Sequence, residues 1–219
     1  GLITLLIGEL LTGLWQEDFH LRLNEGETRN YAESYRDNEL VLVDATDPKF
    51  DEVVAIPEAL LAGKAAVQHP KLPFRVVPRT FYPNSSLQMR APDAPPAIAT
   101  AGIGQRILVA PQPITYRPKE QNLPAAFVEI AAPESSLGVY LVSTQLDAPQ
   151  EFTYEGRTWR IALRPRRIYQ PYSLSLLKFS HDRYPGTQIP KNFSSRLRIN
   201  TPDGRDDREV LCLRGEGED

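Results

Sequence analysis

The sequence predicts a mainly β protein: an antiparallel β-sandwich or barrel-like sheet domain with a short N-terminal hydrophobic helix and a Pro-rich loop region. Twenty of the 219 residues are proline, which removes a backbone donor and disrupts helix interiors. Short runs of β-branched and aliphatic residues, bounded by Gly, Pro, Asn or Asp, recur along the chain and are typical of strands. Strands are expected at Phe19–Leu23, Leu40–Asp44, Phe74–Val77, Arg106–Ala110, Ala126–Ile130 and Val139–Thr144.

Two hairpins are predicted from their turns. Residues 151–163 carry Glu155-Gly156 as a turn, where Gly supplies a positive φ, and have apolar positions at Phe152, Tyr154, Trp159, Ile161 and Leu163. The second turn, residues 201–204, has Pro at its second position and Gly at its fourth, as a type I turn prefers. It is expected to join strands at Ser195–Asn200 and Arg208–Leu213.

The first 15 residues are almost entirely apolar. As a helix rising ~1.5 Å per residue they would cover about two-thirds of a ~30 Å hydrocarbon core. The end of a transmembrane helix, an interfacial helix and a buried helix all fit this length. Trp15 precedes three polar residues, as an aromatic at a membrane interface does, although Glu9 would then need the interface or a partner. We expect residues 1–15 to end a transmembrane or interfacial helix.

Residues 16–219 are expected to form one β-rich domain that is truncated at its C-terminus. Pro57–Val67 favours a short helix with Pro at its first position and Leu60, Leu61 and Ala65 on one side. Residues 78–124 are rich in Pro and small side chains, which favours a loop or insertion.

Charge and cysteine content exclude several functional classes. The 25 Lys+Arg and 28 Asp+Glu give a net charge of −3, without the cationic excess that nucleic acid or an anionic membrane surface requires. Cys212 is the only cysteine, so neither an internal disulfide nor a Cys-rich metal site can form.

No catalytic constellation emerges from the sequence. The three histidines, His20, His69 and His181, lack the i+4 spacing of a helical metal site and are interpreted as surface or structural residues. Neighbouring strand residues point to opposite faces, so His181 and Asp182 cannot orient each other in a triad with Ser180, Ser194 or Ser195. The run GIGQR from Gly102 lacks the third glycine of a dinucleotide fingerprint and the GK[ST] of a P-loop. We expect no enzyme activity.

The most cationic stretch lies on a predicted strand and leaves two interpretations open. Together with the tyrosines that follow, it could be a partner surface for a carboxylate or phosphate. Alternatively, its arginines pair with the abundant acids on a strand face. The residues are Arg157, Arg160, Arg164, Arg166, Arg167, Tyr169 and Tyr172.

The run from Leu177 to Leu213 resembles the core signature of the ResB-like family of system II cytochrome c biogenesis proteins. The matching pattern is an aromatic strand, an acid before Tyr-Pro-Gly, a Pro, Phe-Ser-Ser, and a hairpin whose turn contains an acid and Gly. The positions are Phe179, Asp182, Tyr184, Pro185, Gly186, Pro190, Lys191, Phe193, Ser194, Ser195, Asp203 and Gly204. The stretch EGETRNYAESYRDNELVLVD from Glu25 is also similar to that family. The motif can also be explained by a purely structural role, because its prolines and glycine mark the crossing between two strands.

The resemblance implies a non-catalytic, membrane-anchored component of cytochrome c assembly whose β-rich domain faces the periplasm. Its expected partners are a CcsA/ResC-type haem-handling membrane protein and apocytochrome c, with haem handled by the wider complex and no cofactor assigned to this chain. The family's haem-ligating histidines match none of the three here. Unlike family members, this sequence lacks the Asn-x-Pro-like segment and second helix after the hairpin. An extracytoplasmic β-sandwich ligand-binding or adhesion module is the alternative.

Overall fold

The computed structural model describes residues 1–15, 17–47, 49–117, 120–183 and 190–214. It is mainly β, with antiparallel sheets and an N-terminal helix, which confirms the predicted fold class. The chain forms two compact units, residues 1–34 with 167–219 (unit 1) and residues 35–166 (unit 2), where the sequence predicts one β domain.

The strands are β1 (Phe19–His20), β2 (Thr28–Asp44), β3 (Glu52–Pro57), β4 (Arg75–Tyr82), β5 (Ser85–Met89), β6 (Ile107–Pro111), β7 (Ala125–Ala131), β8 (Ser136–Ser143), β9 (Gln150–Tyr154), β10 (Arg157–Arg183), β11 (Pro190–Asn200) and β12 (Arg208–Arg214). The helices are α1 (Leu2–Trp15) and α2 (Glu58–Ala62), with a 3₁₀ turn at Ile103–Arg106. The largest sheet has the order β1-β2-β10-β11-β12, with β3 paired to β2 and β9 paired to β10. A second sheet has the order β4-β7-β8, and β5 pairs with β6.

Unit 2 holds the larger hydrophobic core. Alternate positions of β3, β4, β7 and β8 point into it, as expected of half-buried strands. Phe74 lies at its centre, with its ring centroid 5.0 Å from that of Trp159 and 5.4 Å from that of Phe152. Both contacts are edge-to-face, an arrangement that aromatic quadrupoles favour.

The predicted hairpin at residues 151–163 is confirmed. Tyr154 pairs with Arg157 across a two-residue turn, in which Glu155 and Gly156 have φ values of 51° and 75°. Two positive φ values are those of a type I′ turn, whose twist matches that of its strands. Trp159 and Ile161 are buried, as the alternation predicts.

The second hairpin is also confirmed. β11 and β12 pair from Phe193–Arg214 to Ile199–Arg208. The Gly204 N–H donates to the Thr201 carbonyl at 3.1 Å, which closes the predicted four-residue turn.

Three other elements differ from the predictions. α2 ends at Ala62, well before Val67, because Gly63 terminates it and Val67 forms a β-bridge to Val76; Pro57 ends β3 and caps α2. Residues 78–124, expected to be a loop or insertion, contain most of β4 and the paired strands β5 and β6; β6 matches the strand expected at Arg106–Ala110, whereas β5 is a strand that the sequence did not predict. The strand expected at residues 19–23 is shortened to β1, which pairs with Glu33 and Ser34 of β2.

The N-terminal helix exposes its apolar side chains. Five large residues of α1 are at least half exposed: Leu2, Ile3, Leu5, Leu6 and Ile7. These exposures exclude the interpretation of residues 2–7 as part of a buried helix. Among the described residues, no helix combines the length and the hydrophobicity needed to cross a bilayer.

Candidate functional site

The β10–β11–β12 sheet of unit 1 has one apolar face. Directly opposed residues of antiparallel strands share a face, and Leu174 pairs with Ile199 while Leu176 pairs with Leu197. Leu197 in turn pairs with Val210. The opposite face is polar on β10 and β11, where its pairs are Ser173–Asn200, Ser175–Arg198 and Lys178–Arg196. On β12 the same face carries the exposed residues Leu211 and Leu213. An amphipathic sheet of this kind presents its apolar face to a ligand, a partner or another element.

A β-bulge keeps the apolar face continuous along β10. The register shifts between Leu176 and Lys178, so Leu177 is the extra residue. Without this shift Lys178 would follow Leu176 on the apolar face, because strand residues alternate. With it, Phe179 takes that position, opposite Ser195. Nothing in the local sequence predicts this bulge, because it is defined by the register with β11.

The motif residues Phe179 and Phe193 meet at one end of the apolar face. Their rings stack with centroids 6.2 Å apart and planes inclined by 22°. The His181 ring lies 6.3 Å from Phe179 and 6.4 Å from Phe193. Both phenylalanines remain substantially exposed, at 45% and 39%. The sequence predicts a surface or structural role for His181 but does not predict this aromatic cluster.

The remaining motif residues divide between the two faces. Ser195 pairs with Cys212 on the apolar face, whereas Ser194 lies on the other face and its hydroxyl donates to the Ser180 carbonyl at 3.5 Å. Asp182 pairs with Asn192 and Pro190 with Arg183 at the ends of the strands. Tyr184, Pro185 and Gly186 lie outside the described residues.

Residues 24–27 border this face beside the bulge. The Gly26 N–H donates to the Leu176 carbonyl at 2.8 Å, and the Leu176 N–H donates to the Glu27 carbonyl at 3.0 Å. The Phe179 N–H donates to Glu25 Oε1 at 2.6 Å. Hydrogen bonds from the Asn24 backbone N–H and the Arg29 guanidinium lower the pKa of Glu27, so the Glu27 side chain is a carboxylate at neutral pH.

Residues 24–27 and the apolar face of the sheet border an open groove with a volume of about 690 Å³. Its lining is mainly apolar: Leu21, Leu23, Leu174, Leu176, Phe179 and Leu197. Asn24, Glu25, Ser195 and Cys212 complete it. A smaller groove of about 400 Å³ adjoins it through Phe179 and Ser195 and extends to Phe193. Ligand sites commonly have this volume and this excess of apolar lining.

Each arginine of the cationic stretch has an acidic partner. The N···O distances are 3.2 Å for Arg157–Asp44, 2.8 Å for Arg160–Glu151, 2.9 Å for Arg164–Glu39, 2.8 Å for Arg166–Asp37 and 3.0 Å for Arg167–Glu33. These contacts favour the structural interpretation of the stretch, because the partners already neutralise the guanidinium groups.

Two tyrosines of unit 1 lie beside Arg167, the last arginine of this stretch. The Arg167 guanidinium lies 4.1 Å from the centroid of the Tyr31 ring, and the Tyr31 and Tyr169 rings are 5.6 Å apart. Cation–π contacts of this geometry stabilise an arginine that already has a carboxylate partner.

The GIGQR run is a packing element of unit 2. The Ile103 N–H donates to Gln150 Oε1 at 3.0 Å, and the Gln150 side-chain amide donates to the Leu141 carbonyl. Gly104 is buried against Leu141 and Ala99, where an added Cβ would lie 2.6 and 2.7 Å from their Cβ atoms. The glycines therefore let residues 102–104 approach β8 closely. This packing requirement accounts for the glycines without a phosphate-binding role.

Two comparisons bear on identity. No protein-family model matches the chain, and no curated protein matches it. Within the part of the chain that the structure describes, no three His, Cys, Asp or Glu side chains are grouped to hold a metal ion. The chemistry available at the unit 1 groove is therefore apolar and aromatic contact, with a carboxylate at its margin.

Proposed function

We propose that this chain is a non-catalytic, membrane-anchored component of cytochrome c assembly. It supports haem delivery and apocytochrome presentation beside a CcsA/ResC-type partner, with its β units on the periplasmic side. The resemblance of residues 177–213 to the ResB-like signature motivates the specific process. The observation that carries the proposal is the continuous apolar and aromatic face that this same segment builds in unit 1.

That face supports binding rather than bond-making chemistry. The motif contributes exposed phenylalanines and strand backbone to it. Exposed aromatic side chains are the residues that most often anchor protein interfaces. A surface of this kind fits the task of holding a folded partner protein in place.

Membrane association has its own support in α1. Apolar side chains at Leu2, Ile3, Leu5, Leu6 and Ile7 are exposed to at least half their area. Exposing them to water costs free energy that a bilayer interface or a neighbouring helix would recover. The helix is joined to β1 by only a few residues, which would hold unit 1 near the membrane.

The alternative of an extracytoplasmic module that binds an anionic ligand through its arginines has weaker support. The ion pairs described above occupy all five guanidinium groups of the stretch. An anionic ligand would have to displace a carboxylate from its arginine. The free energy lost with that ion pair would be comparable to the free energy gained from the new one.

Deletion of the gene in its native host, followed by complementation, tests the proposal. Haem staining of c-type cytochromes should disappear in the deletion strain, while immunoblots show that apocytochrome is still synthesised. Expression of the wild-type gene should restore staining. Normal haem staining in the deletion strain would refute the role in cytochrome c assembly.

A further inference from the structure

We infer that the unit 1 groove binds the alkyl chain of a lipid whose headgroup carries an ammonium, with Glu25 and Phe179 contacting that headgroup. This ligand site lies on the apolar face that the proposed function uses, but binding of a lipid is measured on the isolated chain and can fail or succeed whatever the outcome of the haem-staining test. It follows from the groove's lining, from the pairing of its backbone, and from the single charge at its margin.

The lining selects an aliphatic occupant. Five leucines and Phe179 face the groove, and only Leu176 among them is buried, with 7% of its area exposed. Each methylene that leaves water for such a surface gains about 0.8 kcal/mol. An alkyl chain of a dozen carbons thus has enough apolar area to bind without any polar contact to the floor of the groove.

The backbone of the groove discriminates against an extended peptide. β11 is paired on both sides, with β10 and β12, over residues 193–199. The N–H and C=O of Leu176 are bonded to Glu27 and Gly26. A peptide lying in the groove would therefore lose water from its amides without gaining main-chain partners, at a cost of several kcal/mol in total. An alkyl chain has no such groups to satisfy.

The charge at the margin selects the headgroup. Glu25 lines the groove and accepts a hydrogen bond from the Phe179 N–H. Among the described residues no cation is paired with Glu25, unlike Glu27, which lies 2.5 Å from Arg29. The exposed Phe179 ring also lines the groove, and the Phe179 backbone N–H is the group that donates to Glu25. A carboxylate beside an aromatic face is the combination that binds ammonium groups through ion-pair and cation–π contacts.

Calorimetric titration of the full 219-residue chain tests the inference. The probes are dodecylphosphocholine and dodecyl maltoside, each used below its critical micelle concentration. They share a dodecyl chain, but the first has a zwitterionic headgroup with a phosphate and a quaternary ammonium, and the second has an uncharged disaccharide. We expect one binding site and about fivefold tighter binding of the phosphocholine, a typical gain from one partly exposed charge contact.

Two pairs of variants locate the site. Glu25→Gln should abolish the preference between the probes, since the amide keeps the hydrogen-bond acceptor and removes the charge, whereas Glu209→Gln, opposite the polar-face residue Arg198, should retain it. Ser195→Trp should fill the groove and weaken both probes about tenfold or more, whereas Ser194→Trp on the opposite face should not. Circular dichroism of each variant checks that it is folded.

Three results would overturn the inference. The first is equal affinity of the wild-type chain for the two probes. The second is probe binding that Ser195→Trp leaves unchanged, because the alkyl chain would then lie elsewhere, for example on α1. The third is a concentration-dependent dimer, seen by sedimentation, that excludes both probes and is lost in Ser195→Trp; a second copy of the chain would then be the occupant.

Discussion

Gly104→Ala is expected to destabilise unit 2 by about 1–2 kcal/mol. The new Cβ would lie 2.6 Å from the Leu141 Cβ and 2.7 Å from the Ala99 Cβ, about 1 Å inside a normal carbon contact. Both neighbours are buried, at 0% and 3% exposure, and a Cβ cannot rotate away from its backbone. Overpacking of this kind costs about 1–3 kcal/mol, and the lower chain entropy of alanine offsets up to about 1 kcal/mol of it.

Gly63→Ala is the matched control. Its φ is −70°, and the nearest atoms to an added Cβ are backbone oxygens at 3.6 Å. The same substitution should therefore stabilise the protein by about 0.4–1 kcal/mol. Urea denaturation, followed by the fluorescence of the buried Trp159, compares the two variants. The packing role of the GIGQR run would be refuted if Gly104→Ala were as stable as Gly63→Ala.

Three further predictions concern charge and turn geometry. Burial raises the pKa of Glu58 above its ordinary value of 4.5, so its charged form destabilises the fold at neutral pH and this penalty disappears as pH falls through the folded pKa to the unfolded one. Glu58→Gln should therefore be more stable than the wild type at pH 7, and thermal melts should show that difference vanishing below pH 4.5. Glu155→Asn should stabilise the type I′ turn by about 0.5–1 kcal/mol in urea titrations, since asparagine tolerates positive φ; an unchanged midpoint would contradict this. Arg164→Met should cost about 2–3 kcal/mol because Glu39 is left nearly buried without its cation, whereas Arg160→Met on an exposed pair should cost under about 1 kcal/mol; equal costs in the same titration would refute this ranking.

The sequence predicts strands well where turn chemistry and alternation agree. The 151–163 hairpin combines a Gly at a positive φ with alternating aromatic and aliphatic residues, and its register is that of the structure. The β11–β12 hairpin is predicted for the same reason. In both cases the information is local, within a dozen or so residues.

β2 shows what local patterns miss. Its apolar end, Leu40–Asp44, is predicted, but the strand begins at Thr28. Residues 28–39 are too polar to resemble a strand, and partners distant in sequence stabilise them. Glu33, Asp37 and Glu39 pair with arginines 125 or more positions away. Such cross-strand ion pairs cannot be assigned until the pairing of the strands is known.

The candidate site was only partly predictable. The motif identified Phe179, Phe193 and Ser195, but the sequence does not place Leu21, Leu23 and Glu25 beside them. Their proximity depends on tertiary hydrogen bonds of residues 25–27 with Leu176 and Phe179. The sequence places the five arginines on one predicted strand and leaves open a partner surface or pairing with acids, because their individual acidic partners come from other strands.

Complementation with variants on opposite faces of one strand tests the central claim most directly. Ser195→Trp blocks the apolar face of unit 1, and Ser194→Trp places the same side chain on the opposite face of the sheet, beside Leu213. The measurement is haem staining of c-type cytochromes in the deletion strain, with immunoblots to confirm equal amounts of each variant. We predict that Ser194→Trp restores staining and Ser195→Trp does not. Equal staining by the two variants would contradict the claim that this apolar face is the functional surface.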